Sequence, residues 1–298
     1  MTGKKDSLTK ILLEDIKTSA NLSSRKIITW IIDTFGNRPA GWLADQLVKI
    51  DDQLAESSLH ETANRAICLV SDGLAISNAE SIPETGPLLV VSNHPGFFDI
   101  LGIVAALDRE DVKIVSQQKE FMRVLGNINR HMLTLEPDST FKLETIREII
   151  RCLNEGMAVI IFPSGQLEPD PAIVPGAVES LKSWSDSIGV FLNKVPETCL
   201  LPVLVSGVLI ERAFNSGMAK LGWNQKRRQQ FAMAAQFIGQ TLSKKPHWKR
   251  PLQIDFGQPK SPEELDPDLD PRNFNMAVKQ EMLDLLEKSY PEQGSFEL

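Results

Sequence analysis

The sequence has little of what marks several classes of protein. Its 298 residues include three cysteines, Cys68, Cys152 and Cys199, too few and too scattered for a disulfide framework or a zinc cage. Their sequence neighbours are apolar (Ile67, Leu69, Leu153, Leu200), so buried free thiols in a reducing compartment are expected. Basic charge is also short. Lys and Arg number 32 against 39 Asp and Glu, a formal net charge of −7, without the footprint of a dedicated nucleic-acid binder. No apolar run approaches the roughly 18 residues that a spanning helix needs. The polar start MTGKKDSLTK is followed by no signal-peptide apolar core, and there is neither an internal repeat nor a low-complexity tract. The expectation is a cytoplasmic protein, soluble or peripheral at the inner face of the membrane.

What is present is an ordinary globular composition, 42% hydrophobic and 24% charged, long enough for one large domain or two small ones. Residues 8 to 80 read as helices only. Leu8, Ile11, Leu12 and Ile16 recur at helical spacing, as do Ile27, Ile28, Ile31, Ile32 and Phe35, and again Leu43, Leu47, Ile50 and Leu54. Ser23 or Ser24 suits the N-cap of the second helix, Gly36 its stop, and Pro39 opens the third. From Ser81 onward short apolar runs alternate with helical patterns. Strands are expected over 88–91, 112–115, 132–135, 158–162 and 200–205, with an edge strand over 252–256. Helices are expected over about 97–107, 120–125, 142–154, 176–184, 225–242 and 274–288. This alternation predicts an α/β domain with a mostly parallel central sheet flanked by helices, preceded by an N-terminal helical region. The chain accordingly divides at 1–80 and 81–298. Ligands of such sheets bind outside the carboxyl ends of the strands.

Three strand-to-helix junctions carry polar groups. The first is Ser92-Asn93-His94-Pro95-Gly96-Phe97-Phe98-Asp99. His94 leaves a strand end, Pro95 and Gly96 turn the chain, and Asp99 falls in the first turn of the next helix. That spacing lets the carboxylate fold back onto one imidazole nitrogen and leaves the other as a base in a fixed tautomer. No serine or cysteine sits beside it in a nucleophile elbow, so direct deprotonation of an incoming hydroxyl suits the pair better than an acyl-enzyme route. The bland alternative is a carboxylate favoured by the helix dipole and a histidine satisfying local backbone. The second junction, Phe162-Pro163-Ser164-Gly165, can turn backbone N–H groups toward an oxyanion or phosphate. The third is Val174-Pro175-Gly176-Ala177, with Gly176 opening a helix. Alone, each of these two reads as a turn.

Taken together, the junctions resemble the glycerolipid acyltransferase family typified by the bacterial 1-acylglycerol-3-phosphate and glycerol-3-phosphate acyltransferases (PlsC type). Asn93, His94 and Asp99 match the family's first motif, Asn-His and four residues before Asp. Phe162, Pro163 and Gly165 match its third, with Ser164 where Glu is usual, as in plastid-type members. Leu200 to Val205 with Pro202 resembles the fourth motif, and Lys119-Glu120-Phe121 a lysine that precedes the second. The likeness runs from about Ser81 to Val208. The family's arginines are missing: Glu136-Pro137 stands where the second motif keeps one, and Gln166-Leu167 follows the third. Arg130, His131 and Lys119 lie upstream and could supply positive charge, or could be a solvated helix end.

The resemblance implies a glycerol-3-phosphate acyltransferase-like fold. It also implies an O-acyltransferase of lipid metabolism that moves a fatty acyl group from acyl-CoA or acyl carrier protein to a lipid hydroxyl. His94 would be the general base and Asp99 its orienting partner. Gly165 with Gly96 would stabilise the oxyanion, and Asn93, Lys119, Arg130, Phe162, Pro163, Ser164, Gly176 and Pro202 would line the substrate site. No metal and no cofactor beyond the donor is implied. The alternatives are a thioesterase or lysophospholipase with Ser164 as nucleophile, which lacks the Gly-x-Ser-x-Gly elbow, and a non-catalytic lipid carrier. Three surface stretches complete the reading. Lys244 to Arg250 around Trp248 would suit an anionic membrane or form a loop with the indole packed inward. Ile27 to Ile32 with Trp30 could enter lipid or pack in the helical layer. Glu263 to Asp270 reads as a solvated loop.

Overall fold

The computed structural model describes residues 2–19, 36–135, 143–242, 248–268 and 270–294. The expected helix around Trp30, its caps at Ser23 or Ser24, Glu136-Pro137 and Lys244 to His247 lie outside the described residues.

The apolar alternation from residue 88 does become a sheet. Strand β2 (Leu88–Ser92) is followed by helix α4 (Asp99–Leu107), β3 (Val112–Gln117), α5 (Glu120–Val124), α6 (Gly126–Asn129) and β4 (Met132–Leu135). Then come α7 (Leu143–Asn154), β5 (Ala158–Ile161), α8 (Ala177–Ser180), α9 (Ser187–Lys194) and β6 (Cys199–Ser206). With β1 (Leu74–Ser77) and β7 (Leu252–Phe256) added, the strand order is β1-β7-β6-β2-β5-β3-β4. Strands β2 to β6 are mutually parallel, in registers such as Val91 with Ile161 and Val91 with Pro202. β2, β5 and β6 are buried on both faces, which is why they read as continuous apolar runs. Leu89, Val91, Val159 and Ile161 face α7, α9 and the last long helix, α13 (Pro271–Ser289). Leu88, Val90, Ala158 and Ile160 face α4 and the helix α3 (Leu59–Val70).

Two expectations for the sheet's other edge are corrected. Residues 8 to 80 are not helical throughout, because β1 (Leu74–Ser77) is the edge strand beyond β7 (Leu252–Phe256). β7 is therefore an inner strand, parallel to β1 and antiparallel to β6. At four residues, with its two central side chains Ala75 and Ile76 exposed, β1 is too short to give a strand signal. The α3 helix, N-capped by Ser58 onto the Glu61 N–H, also packs on the sheet through Leu59, Ala63, Ile67 and Val70. Among the described residues, only α1 (Thr2–Ser19) and α2 (Asn37–Gln53) stand apart from the sheet, pairing through Leu8, Leu12, Ala44 and Val48 around Leu125. Gly36 precedes α2 as its N-cap.

Smaller corrections follow from local chemistry. The acidic stretch after Ser261 is not all loop. Ser261 and Glu264 form a reciprocal capping box that opens α12 (Pro262–Leu265), which leads into α13. Of the three thiols only Cys152 is buried; Cys68 is exposed on α3 and Cys199 half-buried at the start of β6. Pro202 sits within a central strand because β6 and β7 are out of step there. Leu200 bridges Lys260 and Val203 pairs with Phe256, so three residues oppose two where the proline has no N–H to give.

Candidate active site

The carboxyl ends of β2, β5 and β3 deliver His94, Phe162-Pro163-Ser164-Gly165 and Lys119 to one edge of the sheet. His94 Nδ1 lies 2.8 Å from Asp99 Oδ2, and Asp99 is fully buried at the first position of α4. An ionised carboxylate only accepts, so the proton is on Nδ1 and Nε2 is the free base. Two further donors hold Asp99: the Gly96 N–H at 3.2 Å and the Ile100 N–H at 2.7 Å. The His94 side chain keeps 25% of its exposure. Burial works to lower the imidazole pKa, but the charge and hydrogen bond of Asp99, with the charge of Glu168, outweigh it and leave it above the ordinary histidine value. The Phe162 ring covers the imidazole at 4.7 Å between centroids.

A residue that motif reading missed ties the three junctions together. Glu168 is 3% exposed. Its carboxylate accepts from the His94 N–H (2.9 Å), Ser164 Oγ (2.9 Å), Ser180 Oγ (3.0 Å) and Trp184 Nε1 (2.8 Å). Its own N–H donates to the His94 carbonyl at 2.8 Å. Burial pushes the Glu168 carboxyl up, while those donors pull it down. The signal in the sequence was an acidic residue three positions after Gly165, between Leu167 and Pro169, which by itself is unremarkable. A second brace comes from α11 (Gln225–Leu242), where the Gln229 amide donates to the carbonyls of Pro95 (2.9 Å) and Glu168 (2.7 Å).

Several residues expected to meet substrate instead shape the scaffold. The Asn93 amide extends the ladder between β2 and β6, giving its N–H to the Val205 carbonyl and accepting the Val205 N–H, at 2.9 and 2.8 Å. Pro202 is buried in β6 against Gly257. Both N–H groups expected at the oxyanion are engaged elsewhere: Gly96 with Asp99, and Gly165 with the Phe162 carbonyl in a turn at φ +60°. Gly96 is nevertheless required, since a Cβ there would come within 2.4 Å of Val208. Pro163 is buried, and its carbonyl accepts from Ser185. Ser164 Oγ is bonded to Glu168 and to the Gln166 carbonyl at 2.8 Å, with no hydrogen bond to the His94 ring among the described residues. That arrangement does not suit a nucleophile.

Of the three upstream groups, the structure brings one to this edge. Arg130 precedes β4, so it lies at the amino end of the sheet, opposite His94. There it donates to Asn127 Oδ1, while its carbonyl accepts from Lys113. His131 follows it, with Nδ1 3.3 Å from the Val112 carbonyl. Lys119 is at the carboxyl edge, caps α5 and acts electrostatically on Asp15. The cation that meets the third-motif loop comes from outside the expected segment: Lys226 Nζ donates to Gln166 Oε1 at 2.7 Å. Lys226, Gly176, Glu168, Glu179 and Gln229 border an open cavity of about 600 Å³. The Gly176 N–H itself donates to Gln293 Oε1.

With this geometry in place, the comparisons bear on it directly. The Acyltransferase family model matches residues 73–203, which contain His94, Asp99, Ser164 and Glu168. The matched segment covers 131 of the 298 residues. It starts at the residue before β1, so the edge strand belongs to the matched segment. No curated protein matches the sequence. Among solved structures the chain is similar to the 1-acyl-sn-glycerophosphate (LPA) acyltransferase PlsC from Thermotoga maritima, at 16% identity and a TM-score of 0.45, covering 95% of this chain and 96% of that one. The segment that matches the family model runs from the residue before β1 into the middle of β6, and α11 with its Lys226 and Gln229 lies beyond it.

Proposed function

We propose that the protein transfers a fatty acyl group from a thioester donor, acyl-CoA or acyl carrier protein, to the hydroxyl of a lipid or lipid precursor. The observation that supports this most is the buried Asp99 carboxylate on His94 Nδ1, with Nε2 left open. Nε2 takes the proton of the acceptor hydroxyl as its oxygen attacks the thioester carbonyl. The tetrahedral oxyanion collapses, the carbon–sulfur bond breaks, and the imidazolium returns the proton to the leaving thiolate. The oxyanion is assigned to the Ser164 N–H, which meets no acceptor among the described residues, unlike the N–H groups of Gly96 and Gly165. No metal or further cofactor is needed for this sequence of steps. A phosphate on the acceptor would be met by Lys226 at the Gln166 loop, since Arg130 lies at the opposite edge.

The test is thiol release from both donor types with a panel of acceptors: lysophosphatidate, glycerol 3-phosphate, and uncharged or amine-bearing lipid alcohols. The reading requires free thiol to appear only when an acceptor is present. Equal release without any acceptor would mean hydrolysis instead.

A further inference from the structure

The surface beside the site shows a separation of charge that the net value hides. Between Arg212 and Ile254 the chain has nine Lys or Arg and no Asp or Glu, leaving 23 cations against 39 acids elsewhere. Within that stretch, large apolar side chains are exposed among the cations. Leu221 is 57% and Trp223 47% exposed, directly before α11, flanked by Lys220, Lys226 and Arg227. The Arg227 guanidinium lies 5.3 Å from the centre of the Trp223 ring, which meets the Phe231 ring in a T-shaped contact at 6.1 Å between centroids. The catalytic loop runs along this same helix. Gln229 holds the Pro95 carbonyl, Met233 borders Gly96, and Phe237 meets the Phe98 ring at 6.4 Å. Phe97, between them, is 74% exposed.

Trp248, for which the sequence leaves both membrane contact and inward packing open, is not part of this surface. It packs against Gly239, where a Cβ would meet its ring at 2.3 Å, and Arg212 covers it at 5.0 Å. Leu221 and Trp223 keep about half of their surface open to solvent, Trp223 beneath the Arg227 guanidinium.

We propose that Leu221 and Trp223, with the surrounding cations and Phe97, seat the protein on an anionic lipid bilayer, placing the His94 loop at the lipid surface. The partner is a bilayer because both of its chemistries are matched. Anionic headgroups complement a stretch of nine cations with no Asp or Glu of its own, and side chains of this kind partition at the headgroup level. An acidic carrier protein would use the cations but leaves the apolar tips unexplained. Screening over about 8–10 Å makes the local patch, not the net charge of −7, decide the interaction. This deepens the lipid-acceptor reading and rests on it only for why the site should face lipid.

The experiment is vesicle co-sedimentation of the full chain with phosphatidylcholine alone or mixed with phosphatidylglycerol, across a salt series. Wild type should bind the anionic vesicles, and binding should weaken as salt rises. L221S/W223S should bind at least tenfold more weakly, and K220Q/R227Q roughly 30-fold, with a flatter salt dependence. Both variants should keep wild-type turnover of a short-chain, monomeric acceptor, which separates loss of docking from loss of folding. Vesicle binding with no transfer to any acceptor would reject the enzymatic reading and leave the surface standing. The surface is rejected if both variants bind like wild type, if wild type ignores anionic vesicles, or if the patch captures only acidic carrier protein or a second copy of the chain.

Discussion

At the scale of single residues the proposed base, His94, is held in an overdetermined orientation. Asp99 fixes the tautomer from one side, and Glu168 fixes the backbone of His94 from the other. His94→Ala should lower kcat by about 10²- to 10⁴-fold, with circular dichroism unchanged; near-normal turnover would remove His94 from the mechanism. The pH profile carries the sign of the perturbation. The base must be neutral to work and its pKa is raised, so activity should rise with pH through a limb centred above 6.5. Asp99→Asn removes both contributions of Asp99 that raise the pKa and leaves burial, which lowers it. The variant should be slower, with its acid limb at lower pH than wild type. An unmoved limb would show that another group titrates. Glu168→Gln tests the brace differently. The hydroxyls of Ser164 and Ser180 can turn to accept from an amide, but the His94 N–H and Trp184 Nε1–H cannot, so one rigid donor loses its acceptor. The expected cost is about 1–3 kcal/mol of stability, read as a lowered melting temperature together with a lowered kcat.

At the scale of elements, legibility followed burial. β2, β5 and β6 are covered on both faces and were plain as apolar runs, and the motifs at their ends fell where a parallel sheet puts its ligands. β1, short and half-exposed, gave no such run, and β7 was then assigned to the edge that β1 occupies. His94 and Asp99 were visible because they share one turn, five residues apart. Glu168 and Gln229 were not, because their partners are brought to them only by tertiary packing, across 74 and 134 residues in the contacts with His94 and Pro95. Arg130 shows the converse failure: proximity in sequence to β4 hid that it precedes the strand and so sits at the wrong end. Arg130→Ala should therefore leave the acceptor KM unchanged. Lys226→Ala should raise KM for a phosphate-bearing acceptor about tenfold or more while sparing the donor KM and an uncharged acceptor. The reverse pattern in the two variants would return the clamp to Arg130.

At the scale of the whole molecule, the N-terminal layer is joined to the sheet by a buried carboxylate. Asp51, near the end of α2, accepts the N–H groups of Asn127 (2.8 Å) and Ile128 (3.0 Å) at the start of α6 and the Lys4 ammonium at 3.1 Å, and its carbonyl accepts from the Asn127 amide. Around it Leu8, Leu12, Ala44 and Val48 close over Leu125 from the loop after β3. A carboxylate bonded to three segments at once couples α1, α2 and the α5–α6 connection, so the layer should not melt by itself. Asp51→Ala strands two backbone donors in this junction, at about 1–3 kcal/mol each. For a chain of this size each kcal/mol lowers the melting temperature by roughly 1.5–2 °C. Calorimetry should show one transition in wild type and one lower transition in the variant, with thiol release at 25 °C preserved because α6 is at the amino edge, away from His94. A separate early transition in wild type would make the first helices an autonomous unit, and an unshifted melting temperature in the variant would show that Asp51 does not couple them.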